Sequence, residues 1–336
     1  MKTLIAVPCF NEAKTIVQVC EELKGIENAE VRVFLDGSTD GSSELVARHR
    51  IPYHNELRNI GLSGTFQTIL QHFLRDKSFD QLLIVDGDGQ FPISEIRKIL
   101  LASAKMKVDF VSGSRFMQRE DMLSVPIIKR WGNILVAKSL TQLLWQRQRG
   151  NRLRTKITDP SCGLRAYSRT AATLLVLDNE HSYTIQSWLR VIEEKISFAE
   201  IPIKVQYFEK RRSVISSNLF VYGAYIARVL STNWLNLRFR LFLKLFLATF
   251  FLGLLFLFSF FAISLKVSQF SGNLYLGATG GFLVVCSLNC LVLFYVLRIF
   301  DHNKYLTFRL SLAHTQLLSE QESDIKEFLC ANCSQN

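Results

Sequence analysis

The chain has 336 residues, room for a full α/β domain and something smaller, and its formal net charge of +11 calls for an acidic partner: nucleic acid, anionic lipid or a phosphorylated substrate. Hydrophobic residues make up 49%, with 26 Phe, and the surplus lies after residue 240, so membrane is the first partner to weigh. Seven scattered cysteines, an odd number, argue against a disulfide framework.

Leu4-Ile5-Ala6-Val7 reads as a buried strand stopped by Pro8; it is too short for a signal peptide, and the first domain is expected to stay in the cytoplasm. Glu12 to Lys24 predicts a helix with Ile16, Val19, Cys20 and Leu23 on its apolar face. Val31 to Leu35 is a second strand, ending in Asp36-Gly37-Ser38-Thr39-Asp40-Gly41-Ser42 before a helix through Arg48. A third helix over Gly61 to Leu74, a strand over Leu82 to Val85, a helix over Ser94 to Ala104 and a strand over Asp109 to Val111 follow. Alternating strands and helices imply a parallel sheet, with polar residues collecting where each strand ends.

Ile84-Val85-Asp86-Gly87-Asp88-Gly89-Gln90 is the centre of that pattern. Hard oxygen ligands from Asp86, Asp88 and the Gln90 amide suit Mg²⁺ or Mn²⁺, which leave positions for substrate phosphates, and the glycines, Gly87 among them, let backbone approach a ligand. The competing reading is an ordinary Asp-Gly turn. Neither GxGxxG nor GxxxxGK[ST] is present, which disfavours dinucleotide dehydrogenases and P-loop NTPases.

Between Arg119 and Lys156, basic residues including Lys129, Arg130, Lys138 and Arg147 alternate with Ile127, Trp131, Leu135 and Trp145. That pattern reads as a helix on an anionic membrane surface; the alternative is a solvated charged face over core packing. No nucleic-acid motif accompanies the charge, so no nucleic acid partner is expected. Residues 216–240 read as an interfacial amphipathic helix, and 241–265 and 274–299 as two transmembrane helices, each long enough to cross a bilayer. Basic residues flank the pair on both outer sides, which places both termini and a tail over 301–336 in the cytoplasm. Cys330 and Cys333 form a lone CxxC without other ligands nearby.

Five stretches in order carry a resemblance: Val7-Pro8-Cys9-Phe10-Asn11-Glu12, Asp36 to Ser42, Asp86 to Gln90, Gly113-Ser114-Arg115, and Thr158-Asp159-Pro160-Ser161-Cys162-Gly163-Leu164-Arg165. Together they resemble family 2 glycosyltransferases of the GT-A fold, and more closely the polyprenyl-phosphate branch. The resemblance implies a Rossmann-like α/β nucleotide-sugar-binding domain over 1–215, followed by the interfacial and membrane helices. It implies that Pro8, Phe10, Glu12 and Asp36 line the donor's base and ribose, that Asp86, Asp88 and Gln90 hold a divalent metal on the diphosphate, that Arg115 lies near the phosphates, and that Asp159 and Arg165 face the acceptor. Phe10 stands where the family commonly has Tyr, and Leu35 where it has the first of two Asp. Laid on the family's phosphate loop, Phe208 and Val214 take the places of its Arg and Lys, so Lys210, Arg211 and Arg212 become the substitutes. Asp159 also fits a turn residue before Pro160, and Arg165 a structural ion pair.

The reading is a membrane-anchored, metal-dependent inverting glycosyltransferase passing one sugar from a UDP- or GDP-sugar to undecaprenyl or dolichyl phosphate. Two alternatives stand beside it: a non-catalytic nucleotide-sugar-binding membrane protein, and a processive polysaccharide synthase, whose QxxRW motif Gln186-Ser187-Trp188-Leu189-Arg190 does not match. The resemblance also allows a homo-oligomer.

Overall fold

Apolar runs four to eight residues long, each followed by an amphipathic helix, build a layered α/β domain in the computed structural model. Residues 1–118, 125, 127–147, 155–175, 183–206, 239–267 and most of 274–299 are described. They fall into two units, one made of the residues up to 206 and the other of those from 239 onward.

In the first unit the chain runs β1 (Thr3–Cys9), α1 (Ile16–Lys24), β2 (Ala29–Asp36), α2 (Ser42–Arg48), β3 (Tyr53–Glu56), α3 (Gly61–Arg75), β4 (Gln81–Ile84), α4 (Ile93–Met106) and β5 (Phe110–Ser114). Then come α5 (Ile127–Arg147), β6 (Arg165–Ser168), α6 (Arg169–Leu174), α7 (Tyr183–Glu193) and β7 (Phe198–Pro202). The seven strands lie in the order β3-β2-β1-β4-β6-β5-β7. β6 runs antiparallel to both β4 and β5, so the sheet is mixed and not the parallel one expected.

Both faces of the sheet are covered, which is why its central strands are apolar without alternation. Ile5, Val7, Val33, Leu35, Leu83 and Val85 pack with Ile16, Val19, Cys20 and Ile96 of α1 and α4. On the other side the rings of Phe66, Phe110, Tyr167, Tyr183 and Trp188 meet, with centroids 4.7–5.7 Å apart. Burial on this scale raises the Cys20 thiol to about 12, so it packs as a small apolar group.

Two local expectations change. Pro8 does not stop β1; the strand continues to Cys9, paired with β2. The β4 pairing ends at Ala6, so Pro8 lies where β1 has a single bonded neighbour and its missing N–H is tolerated. The first helix begins at Ile16 and not at Glu12, because Glu12 to Thr15 form a turn that carries a loop contact described below.

In the second unit α8 (Phe239–Val267) contains Lys244–Ile263, 20 residues of mean hydropathy 2.5. Among the described residues this is the one helix long and apolar enough to cross a membrane; the second expected span is represented by α9 (Gly277–Val292), which is shorter. The two helices pack closely through small residues. A Cβ on Gly280 would lie 2.8 Å from the Gly253 carbonyl oxygen, and the Thr249 and Ser287 hydroxyls are 2.9 Å apart. Small residues and a hydroxyl pair are how helices associate where lipid removes the hydrophobic drive. The interfacial helix expected over 216–240 lies, but for its last two residues, outside the described residues, as does the tail with Cys330 and Cys333.

Leu83 is fully buried at the centre of the sheet. Leu83→Ala is expected to cost about 2–5 kcal/mol, read as a lower unfolding midpoint of the full chain in detergent.

Candidate active site

The carboxyl ends of β1, β2 and β4 leave the sheet on one edge, and short hydrogen bonds staple their loops together. The Thr15 hydroxyl donates to the Gly87 carbonyl at 2.8 Å, joining the first loop to the Asp-Gly-Asp-Gly turn. Ser42 accepts from the Glu12 N–H at 3.0 Å, and Asp40 from the Ala13 N–H at 2.9 Å, joining the first loop to the second. Burial opposes ionisation of Asp40, but its bonds from Ser42 and Ala13 outweigh it and hold the carboxyl below its ordinary range.

Asp36 is buried at the end of β2 and accepts the Ile60 N–H at 2.6 Å, which draws the segment after β3 over the site. Gly37 permits that approach: its φ is +62°, and a Cβ there would lie 2.5 Å from the Arg58 carbonyl carbon. Pro8 is buried, while Phe10 and Glu12 are half-buried beside it. The residues expected to line a base and ribose therefore share one edge, with one Asp36 oxygen committed to backbone.

Asp86, Asp88 and Gln90 follow β4 and are all half-buried. Asp88 accepts the Gln90 N–H at 3.0 Å, and the Gln90 carbonyl accepts from the Gln206 N–H at 3.0 Å. Among the described residues no group of three or more His, Cys, Asp or Glu converges on a metal position. Two carboxylates and an amide on one turn still fit Mg²⁺ or Mn²⁺, since these ions take one or two protein carboxylates and complete their shell with water and phosphate.

The segment 158–164 forms the other half of the site. At its far end Gly163 backs onto Asp86: a Cβ there would come within 2.5 Å of the Asp86 Oδ2 and 2.8 Å of Oδ1. The Gly163 carbonyl accepts from the buried Tyr183 hydroxyl at 3.3 Å. Burial, and then the Asp86 charge, push the Tyr183 phenol up, so it stays a neutral donor.

At the near end Asp159 is fully buried and takes Arg115 in a fork: Nε to Oδ2 at 2.7 Å and Nη2 to Oδ1 at 2.9 Å, with the Arg115 N–H on Oδ2 at 3.0 Å. Burial disfavours the charged carboxylate, but the Arg115 guanidinium and its hydrogen bonds prevail and hold the pKa low. Arg115 also donates to the Ser161 hydroxyl at 2.8 Å, which donates to Asn133 of α5 at 2.7 Å. The Arg115 side chain keeps 19% exposure and Asp159 none, so the cation is the outer member of the pair.

Arg165, expected to face the acceptor, takes a different place. It is fully buried, and its guanidinium donates to the carbonyls of Cys162 (2.8 Å), Thr184 (2.7 Å) and Pro160 (2.8 Å). It lies against Phe110, Tyr183 and Trp188. Its chemistry is to hold the 158–164 segment against α7. Asp159 likewise shows a buried carboxylate that orients Arg115 and presents no surface of its own. Lys210, Arg211, Arg212, Phe208 and Val214 lie outside the described residues.

Sequence reasoning quoted Thr158, Ser161 and Gly163 within a motif without giving them a role, gave none to Glu200, and did not single out Asn133 or Tyr183. A signal existed for Glu200, a lone acid inside the strand Phe198–Pro202, and for Gly163, a glycine inside a polar motif.

Gly163→Ala is expected to displace the Asp86 carboxylate, because the added methyl cannot occupy the same space. Nucleotide affinity measured with Mg²⁺ should fall at least about tenfold while the melting midpoint changes little; unchanged affinity would mean that Asp86 does not touch the ligand.

Residues 4–175, more than half of the chain, match the family described as Glycosyl transferase family 2. An uncharacterized protein of Methanocaldococcus jannaschii is 29% identical over 208 residues, 61% of this chain and 82% of the relative. The UDP-N-acetylglucosamine–dolichyl-phosphate N-acetylglucosaminyltransferase of Methanococcus voltae is 22% identical over 225 residues, 61% of this chain and 86% of the relative. Among solved structures, mannosyl-3-phosphoglycerate synthase from Rubrobacter xylanophilus superposes with a TM-score of 0.52 at 17% identity, covering 70% of this chain and 74% of that one, a likeness of fold. The mixed sheet, the stapled loops at its carboxyl edge and the family match lead to one conclusion: the chain is a glycosyltransferase of the GT-A fold and belongs to glycosyl transferase family 2.

Proposed function

We propose that the chain transfers a single sugar from a nucleotide-sugar donor to a polyprenyl phosphate at the cytoplasmic surface of a membrane. The observation that carries this reading is the 158–164 segment, which ties the Asp86 carboxylate at one end to the Asp159–Arg115 pair at the other. Support for the acceptor comes from the Methanococcus voltae relative, named for dolichyl phosphate, and from the apolar helices α8 and α9.

Pro8, Phe10, Glu12 and Asp36 bind the base and ribose, and Asp86 and Asp88, with Gln90, hold a divalent ion. Bound there, Mg²⁺ or Mn²⁺ supplies positive charge to the leaving diphosphate. Arg115, oriented by Asp159, adds fixed positive charge at the same edge. Lys210, Arg211 and Arg212 are proposed to bind the phosphates. The acceptor phosphate is already ionised near neutral pH, so its oxygen attacks the anomeric carbon directly and inverts it, without a strong general base.

The membrane reading rests on α5 as well as on α8. Ile127, Trp131 and Leu135, one turn apart on one stripe, are 67%, 68% and 63% exposed, while Val136, Leu140, Leu143 and Leu144 of the same helix are buried. An exposed apolar stripe in a basic helix suits an anionic lipid surface. One face of this helix packs on the core, and the exposed stripe is the part proposed to meet lipid. The basic residues flanking the apolar segments support a cytoplasmic side for both termini.

Membranes containing the wild type or Asp88→Ala, given polyprenyl phosphate, Mg²⁺ or Mn²⁺ and a panel of UDP- and GDP-sugars, should yield lipid-soluble sugar from the wild type alone. No transfer from any donor, with nucleotide binding intact, would instead favour the non-catalytic reading. Trp131→Glu should lower transfer to the lipid acceptor severalfold and leave nucleotide binding unchanged. Equal transfer by this variant would remove α5 from the membrane face.

A further inference from the structure

Glu200 sits at the middle of β7, level with Ser112 of β5, and belongs to none of the motifs that mark the site. Its carboxylate is nevertheless saturated by one dipeptide. Oε2 accepts the Thr158 N–H at 2.7 Å and the Thr158 hydroxyl at 2.9 Å, and Oε1 accepts the Asp159 N–H at 2.9 Å. With its proton on Glu200, the Thr158 hydroxyl receives one from Ser114 at 2.7 Å, and the Ser114 oxygen in turn accepts the Phe116 N–H at 3.2 Å. The backbone on either side of Arg115 and the backbone of Asp159 are therefore set by the same carboxylate.

We infer that Glu200 is a positioning residue for sugar transfer: as an ionised carboxylate it fixes the Thr158–Asp159 backbone and so aims the Asp159–Arg115 pair at the reacting diphosphate. This rests on the functional reading above. An ionised carboxylate accepts all three bonds at once, and since each oxygen meets a backbone N–H, an amide would set one of these donors against its own NH₂.

Placing that charge here is unfavourable. Burial, opposed by the bonds from Asp159 and Thr158 and reinforced by the Asp159 charge, raises the Glu200 pKa to about 7. Among the charged groups, Asp159 repels it, and Arg115 is engaged with Asp159. A group kept ionised against its surroundings marks a place where geometry is preferred over stability.

The consequence is a pH dependence with a definite sign. The folded pKa of about 7 lies above the ordinary 4.5, so between those values the folded chain holds the extra proton and stability falls as pH rises. Activity moves the other way, because protonation releases the dipeptide. Asp159, held low, is ionised throughout this window.

The test uses the full chain in detergent, with kcat, KM and melting midpoint measured from pH 5.5 to 8.5. Wild type should lose kcat on an acid limb near pH 7, with KM for the nucleotide sugar nearly constant. Glu200→Gln should lower kcat about tenfold or more, leave KM within about twofold, lose that limb and flatten the fall of the melting midpoint with pH. Wild-type kcat in Glu200→Gln, or the same acid limb and melting slope, overturns the assignment. Thr158→Val removes just the hydroxyl donor and serves if Glu200→Gln folds poorly: the limb should move to higher pH, and a stationary limb overturns the assignment. Melting profiles need no substrate, so a wild type that transfers no sugar sinks the functional reading, while the melting comparison still decides for or against an ionised Glu200.

Discussion

A carboxylate with no solvent exposure has to be answered by charge or by donors, and Asp159 is answered by both. Its pairing with Arg115 would collapse if the backbone carrying either partner moved by an ångström, so the surrounding structure is organised to stop that movement. Glu200 fixes the dipeptide that bears Asp159, and Arg165 ties down the carbonyls of Pro160 and Cys162 further along the segment. Ser161 and Asn133 connect the pair to α5. Each of these groups is a polar side chain in a poorly hydrated place, and each has its partner.

The sheet makes this possible. Parallel β1, β2 and β4 deliver their loops to one edge, and antiparallel β6 then places the end of the 158–164 segment beside the end of β4. Ile84 pairs with Arg165, so the residues just after one strand and just before the other are neighbours by register. That register is why Gly163 meets Asp86. Gly113 meets a similar demand on β5, since a Cβ there would lie 2.5 Å from Ile203 and 3.2 Å from the Cys162 sulfur. Glycine at these two points is a packing requirement between loop and strand.

The legible parts of the fold were the ones written as apolar runs. β1, β4 and β5, and the second half of β2, are buried on both faces and read directly as strands, and α1, α3 and α4 followed from their spacing. β3 (Tyr-His-Asn-Glu) and β6 (Arg-Ala-Tyr-Ser) carry polar residues that no periodicity rule assigns to a sheet, and the reversal at β6 was missed with them. The order of motifs put Pro8, Phe10, Asp36 and Asp86 at strand ends, and the parallel pairing of β1, β2 and β4 brings those ends to one edge. It could not tell a guanidinium that pairs with a carboxylate and keeps some exposure from one buried on three carbonyls, which is the distinction between Arg115 and Arg165. Nor could it show that an acid on β7 reaches across to the backbone of a segment some forty residues earlier, because that contact exists through tertiary register alone.

In the proposed reaction this division of labour has a chemical logic. A hydroxyl acceptor would need a carboxylate poised to take a proton, and that base would have to keep a lone pair directed at the substrate. Here Asp159 is committed to Arg115, Glu200 to the Thr158–Asp159 backbone, and one oxygen of Asp36 to Ile60. Carboxylates used in this way are scaffolding for positive charge. An acceptor that arrives already ionised needs nothing more from them, since the attacking oxygen brings its own electron pair and the work left to the protein is to hold the donor and neutralise the departing diphosphate. A lipid phosphate, delivered along an apolar surface, is the acceptor that asks least of a site built this way.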